Sequence, residues 1–300
     1  MAIATLSQLR TAYDSAQRIS AIKFGSMGPL VNRYYGMAWD YFGDVGNPGA
    51  GINPTTLNGT TYDKTSTGAI PLSTTGGSLY ALADVKTSAF WIPVRQTGPF
   101  LYPGGSEFVV HVWDRIWANV INNATTARQA ITFPSLSRYT SGAGLSVWFR
   151  FLPAGVVLPN MNFTLEYVNQ DGVSRSITST QNFTSYSIIH NPSIFQLPLA
   201  AGDYGVRSIT AVTFGTAAGS ANLVGLCLMK YLGAYRVNSP SFADSTNPRS
   251  LFSGLPQFDG NACLTLGVQV GAPPDYSGTY LIGSTTTMPQ IGFEAKVLAL

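Results

Sequence analysis

NFTLEYVNQDGVSRSITST, residues 162–180, reads as two strands folded around a tight turn. The runs Asn162–Val168 and Ser174–Thr180 carry β-type residues with period two. Between them, Asn169-Gln170-Asp171-Gly172 includes the Asp-Gly pair that supplies the positive φ of a short hairpin turn. Similar runs recur on both sides at near-regular spacing: Ala89–Val94, Phe108–Trp117, Ala130–Phe133, Ser146–Phe151, Ile194–Leu197, Ile209–Phe214, Leu223–Leu232, Ala262–Val270, Thr279–Ser284 and Phe293–Leu298. Many short strands separated by turn residues predict an all-β chain, a two-sheet sandwich of jelly-roll or Greek-key type.

Composition argues the same way. Of 300 residues, 31 are glycine and 18 proline, and Tyr, Phe and Trp number 15, 16 and 5. Only 10% are charged, against about 25% in an ordinary soluble domain, and the three glutamates are Glu107, Glu166 and Glu294. A mostly helical chain needs many more charged helix formers on its solvent faces. So few charges imply a surface coated with Ser, Thr, Asn and Gln, or one buried against other copies, as in shell and fibre proteins. Association into a closed homo-oligomer, a trimer, is the expectation. The exposed strand Phe293–Leu298 would otherwise invite runaway pairing.

Two regions precede and interrupt the strands. Thr5 and Gln8 fit a capping box, and Leu6, Leu9, Tyr13, Ala16 and Ser20 fall on one helical stripe, so an N-terminal helix is expected to end before Gly25. From Gly25 to Leu79 the chain is rich in Gly, Pro, Asn and Thr, with Tyr34, Tyr35, Trp39, Tyr41 and Phe42 within nine residues. Flexible linkers do not carry aromatics at that density, so residues 1–79 read as a helix and extended arm that contacts other chains. The β-sandwich domain then covers 80–300, with a strand-poor crossing loop at about 233–255. The charge excess is local to the arm: Arg10, Arg18, Lys23 and Arg33 stand against Asp14 within residues 1–33. These four cations and the five aromatics are the candidate partner-contact residues.

Motifs for catalysis and ligand binding are missing. His111 and His190 are the two histidines, and Cys227 and Cys263, the two cysteines, lie in apolar strand-like runs that favour buried thiols over a disulfide. No zinc-type spacing, G-x-S-x-G elbow, phosphate-binding loop or calcium loop occurs. Asp44, Asp171, Asp203, Asp259 and Asp275 fall at turns rather than as facing acid pairs. These readings predict a non-enzymatic protein with no cofactor and no metal. Cancelling charges beyond the arm argue against specific nucleic-acid binding. Residues 1–24 carry no secretory pattern, and Ser208–Met229, broken by Gly215, Gly219, Ser220 and Asn222, reads as two strands rather than a membrane span. Sugar stacking on Trp39, Trp91, Trp113, Trp117 or Trp148 competes with core or interface packing, which is the default for the four that lie in strand-like runs.

Several segments resemble, in order, a widespread group of structural proteins from tailed bacteriophages and prophages. They are GAGINPTT with TTYDKTSTGAIPL, then WDRIW, LEYVNQDGVSRS, LPLAAGDYGVRSITAVTF and SGLPQFDGNACLTLGVQV. The resemblance runs from about residue 45 to the C-terminus. Its landmarks, Asn169-Gln170-Asp171-Gly172 and Gly202-Asp203-x-Gly205-Val206-Arg207-Ser208, are turn chemistry. It implies a virion component assembled in the bacterial host cytoplasm, with no catalytic residues to carry over. The expected role is capsid decoration or cement against the major capsid protein or other virion proteins. A receptor- or glycan-binding head fibre or tail protein is the alternative.

Overall fold

The computed structural model describes residues 5–14, 17–24, 37–40, 45–47, 89–97, 107–122, 124–151, 161–181, 193–216, 223–237, 257–259, 261–271 and 290–299. A helix, α1 (Leu6–Asp14), precedes the strands, and Thr5 and Gln8 exchange backbone-to-side-chain hydrogen bonds of 3.2 Å at its start. The helical stripe runs on through Ala16 and Ser20, but from Gln17 the chain is extended. There the eight residues of β1 (Gln17–Phe24) pair antiparallel with the last strand, β15 (Gln290–Ala299).

The remaining strands are β2 (Met37–Asp40), β3 (Val45–Asn47), β4 (Ala89–Thr97), β5 (Glu107–Asn122), β6 (Gln129–Ala130), β7 (Leu145–Phe151) and β8 (Met161–Asn169). After them come β9 (Ser174–Gln181), β10 (Ser193–Gln196), β11 (Val206–Phe214), β12 (Leu223–Val237), β13 (Gln257–Phe258) and β14 (Leu264–Gly271). The described chain is therefore mostly antiparallel β. The Thr279–Ser284 run lies outside the described residues, whereas β12 continues to Val237, into the segment read as a crossing loop.

Three strand assemblies result. Six strands close a ring in the order β10-β2-β14-β5-β12-β7, four form the sheet β6-β11-β8-β9, and five form the sheet β13-β4-β15-β1-β3. Residues 1–79 contribute β1, β2 and β3. β1 pairs with β15, and β2 lies between β10 and β14 in the ring. β15 has neighbours on both sides, so Phe293–Leu298 is not an edge.

The main core lies between one wall of the ring and the four-stranded sheet. β8 shows why: Met161, Phe163, Leu165 and Tyr167 are buried and alternate with partly exposed Asn162, Thr164, Glu166 and Val168. They meet Val147 and Phe149 of β7, Leu226 and Leu228 of β12, and Ile209, Val212 and Phe214 of β11. The Phe149 ring sits 5.1 Å from Phe163, 5.4 Å from Phe195 and 5.9 Å from Phe214. Burial of each such side chain contributes about 1.5–3 kcal/mol.

A second cluster, Trp113, Ala118, Trp148, Ile194, Cys227 and Met229, is built from the same wall strands. A bulge divides the two. Leu228 pairs with Trp117 and Met229 with Arg115, leaving Ile116 as the extra residue, and so Ile116 and Trp117 both reach the main core. Trp113, Trp117 and Trp148 are thus buried core residues, as are Cys227 and Cys263, neither of which is in a disulfide.

Candidate functional site: clasped turns and an open sheet edge

The buried charges identify the sites where distant segments are tied together. Asp114, in the middle of β5, has no solvent exposure. Its carboxylate accepts bonds from Arg138 Nε at 3.1 Å and Nη2 at 2.9 Å, and from the Cys263 backbone N–H at 2.8 Å. Arg138 Nη2 also donates to the Arg115 carbonyl. Burial pushes the Asp114 carboxyl up, while the forked guanidinium and the Cys263 N–H pull it back. The pair therefore joins β5 to the 131–144 connection and to the start of β14. Next to it, the Asp259 N–H approaches the Tyr139 hydroxyl at 3.4 Å, and burial raises the Tyr139 pKa. Lys230 lies 5.6 Å from the centre of the Tyr139 ring and donates to the Ala143 carbonyl; burial lowers its pKa.

At one end of the four-stranded sheet, three turns interlock. In the β8–β9 turn, Gly172 adopts φ 80°, and Asn169 Oδ1 accepts the N–H groups of Asp171 and Val173. Asn169 Nδ2 donates to Asp203 Oδ1 at 2.8 Å, and the Tyr167 hydroxyl donates to Asp203 Oδ2 at 2.6 Å while accepting the Ala200 N–H. Arg175 Nε lies 3.6 Å from Asp203 Oδ1. These hydrogen bonds hold the Asp203 carboxyl below the usual carboxylate range, and desolvation with the Asp203 bond pushes the Tyr167 hydroxyl up to about 12. The third turn enters through glycines. Gly205 bridges to Ala143, and a Cβ on Gly205 would collide with the Gly142 carbonyl.

Among the described residues, the turn cluster and β9 both present exposed side chains to a partner. On the turn cluster, Tyr204 is 64% and Val173 46% exposed, and Tyr204 N–H donates to Gln170 Oε1 at 3.2 Å. The other surface is β9, the terminal strand of its sheet, where Ser174, Arg175, Ser176, Thr178 and Thr180 are exposed.

The partner-contact candidates are dispersed. Arg10 lies on α1, exposed, 3.8 Å from Asp14; Arg18 and Lys23 lie on β1, and Trp39 lies on β2 opposite Ser193 and Val268. Arg33, Tyr34, Tyr35, Tyr41 and Phe42 lie outside the described residues. Among the described residues, no group of three or more His, Cys, Asp or Glu side chains is placed to hold a metal ion, and no helix is long and apolar enough to cross a membrane. Sequence reading placed Asp203 at a turn but missed its role as the centre of the clasp. Asp114, a charge inside the apolar WDRIW run, was the available signal for a buried partner.

No family model matches the chain, and no curated protein matches it. Among solved structures, the infectious bursal disease virus VP2 subviral particle aligns at 10% identity with a TM-score of 0.18, covering 95% of this chain and 81% of that one. The structure of the infectious bursal disease virus Gx strain aligns at 11% identity with a TM-score of 0.16, covering 94% and 65%. Likenesses this slight establish neither fold nor function.

Proposed function

We propose that this chain is a non-enzymatic structural protein of a virion. In this reading it is a jelly-roll or Greek-key capsid decoration or cement protein that binds the head shell as a homo-oligomer, a trimer. The observation that carries the reading is how charge is used. With 31 charged residues in 300, the chain commits Asp114, Arg138 and Asp203 to clasps between its own segments, while β9 presents mostly Ser and Thr to solvent. A hydroxyl-rich outer strand over internally clasped turns suits repeated lateral contact better than turnover of a substrate. Phage-type identity rests on the sequence resemblance. Its expected partner is the major capsid protein, and the particle assembled in the host cytoplasm is its expected location.

The exposed Tyr204, held by a turn whose backbone is bonded on both sides, favours a second reading as a receptor- or glycan-binding protein of a head fibre or tail. Immunogold microscopy of particles carrying the protein separates the two. Hundreds of copies spread over the shell support decoration. A few copies at one vertex overturn it in favour of the second reading, and their absence from particles overturns both.

A further inference from the structure

We propose that β9 is a self-pairing edge: two copies of the chain join antiparallel through Ser174–Gln181 about a two-fold axis at Ile177. The proposal stands on the register of one hairpin and does not require the virion reading. Among the described strands β9 pairs only with β8, and its register runs without a shift from Val168↔Ser174 to Met161↔Gln181. It is eight residues long, with no proline and Arg175 as its single charge, so it lacks the bulges, prolines and lysines that protect exposed edges.

The hydrogen-bond phase selects the partner. The Asn169 N–H donates to the Val173 carbonyl at 3.0 Å, and bonded pairs alternate along an antiparallel ladder. Arg175, Ile177 and Ser179 therefore bond to β8, whereas Ser174, Ser176, Thr178 and Thr180 direct N–H and C=O to the open side. A second β9 placed about Ile177 sets Ser174 opposite Thr180 and Ser176 opposite Thr178, joining residues that all present open-side edge groups. Arg175 then faces Ser179, so no like charges meet. Ile177 faces its own copy in a non-bonded pair, where side chains are closest. Ile177 already packs against the main core, so the pairing extends that core across the axis. The two four-stranded sheets become one of eight strands. The contact is narrow, which sets association at micromolar rather than tighter concentrations.

The test uses the full chain. An Ile177→Cys variant, oxidised at micromolar concentration, should form a covalent dimer, because a non-bonded pair places Cα atoms about 4.5 Å apart, within disulfide reach. The native thiols are buried and do not compete. Ser176→Cys should not cross-link, since its copy is displaced by two residues along the strand. Ser176→Pro removes an N–H on the open side only and should abolish β9 pairing, seen as loss of the two-chain mass in light scattering or, in a larger assembly, of its two-fold contacts. If Ser176→Pro unfolds the chain, the Ile177→Cys cross-link still decides. Failure of Ile177→Cys to cross-link, equal cross-linking by Ser176→Cys, or unmodified protein that stays monomeric at tens of micromolar would overturn the proposal.

Discussion

The hydroxyl of Tyr167 and the carboxylate of Asp203 meet at 2.6 Å, 36 residues apart in sequence, and through them the β8–β9 hairpin is bonded to the turn that leads into β11. Tyr167 is fully buried and its oxygen also accepts the Ala200 N–H. Tyr167→Phe would keep the packing but leave that N–H without its acceptor. The expected cost is about 1–3 kcal/mol in denaturant unfolding with the fold retained. A change within error would mean that water replaces the hydroxyl.

The same clasp makes stability depend on pH. The Asp203 carboxyl is held below its unfolded-state value by Tyr167 and Asn169, so its contribution is complete above about pH 4 and is lost as pH falls through the lower folded-state value. Melting temperature should fall on acidification below about pH 4. Asp203→Asn should flatten that part of the curve, and parallel curves for the two proteins would assign the acid loss to other carboxylates.

Two glycines should respond differently to alanine. Gly202 has φ 88° with nothing within 4 Å of an added Cβ, so Gly202→Ala should cost only the left-handed backbone penalty of about 1–2 kcal/mol. At Gly205 the added carbon would meet the backbone of Gly142, Ala143 and Gly144. Gly205→Ala should separate the turns and cost more, by about 1–3 kcal/mol of overpacking. Equal thermal shifts would contradict the close approach.

Removing one half of the buried ion pair should be more harmful than removing both. Arg138→Met leaves Asp114 buried with only the Cys263 N–H, and breaking such a pair costs about 3–5 kcal/mol. Adding Asp114→Leu should recover part of the loss. A double variant less stable than the single would indicate that the pair contributes more than charge compensation.

Deletion of residues 1–79 tests the arm directly. β2 sits between β10 and β14, so the deletion opens the ring as well as removing β1 from beside β15. The expected outcome is loss of cooperative unfolding by circular dichroism. A truncated chain that still unfolds cooperatively would mean that residues 80–300 close their own sheets and that 1–79 serve contacts between chains.

Local patterns identified the strands that carry the core. β8 alternates apolar and polar residues, which fixes its buried face once one side is covered, and Asp171-Gly172 marks its turn because glycine adopts positive φ without a Cβ clash. Such signals lie within a few residues of chain and survive in any tertiary context. β1, β2 and β3 carried no comparable signal. Gln17–Phe24 continues a helical stripe, and it is extended because eight residues of β15, more than 260 positions away, supply its ladder.

Sequence by itself determined the all-β class, the hairpin at Gln170–Gly172 and the burial of Trp113, Trp117, Trp148 and both thiols, because periodicity and apolarity are properties of single strands. Tertiary structure alone decided that Phe293–Leu298 is an interior strand while β9 ends its sheet among the described residues, and that Asp114 meets Arg138 and Asp203 meets Tyr167. Strand neighbours and buried charge partners are set by long-range pairing, where many registers satisfy the same local pattern and only the assembled core selects one.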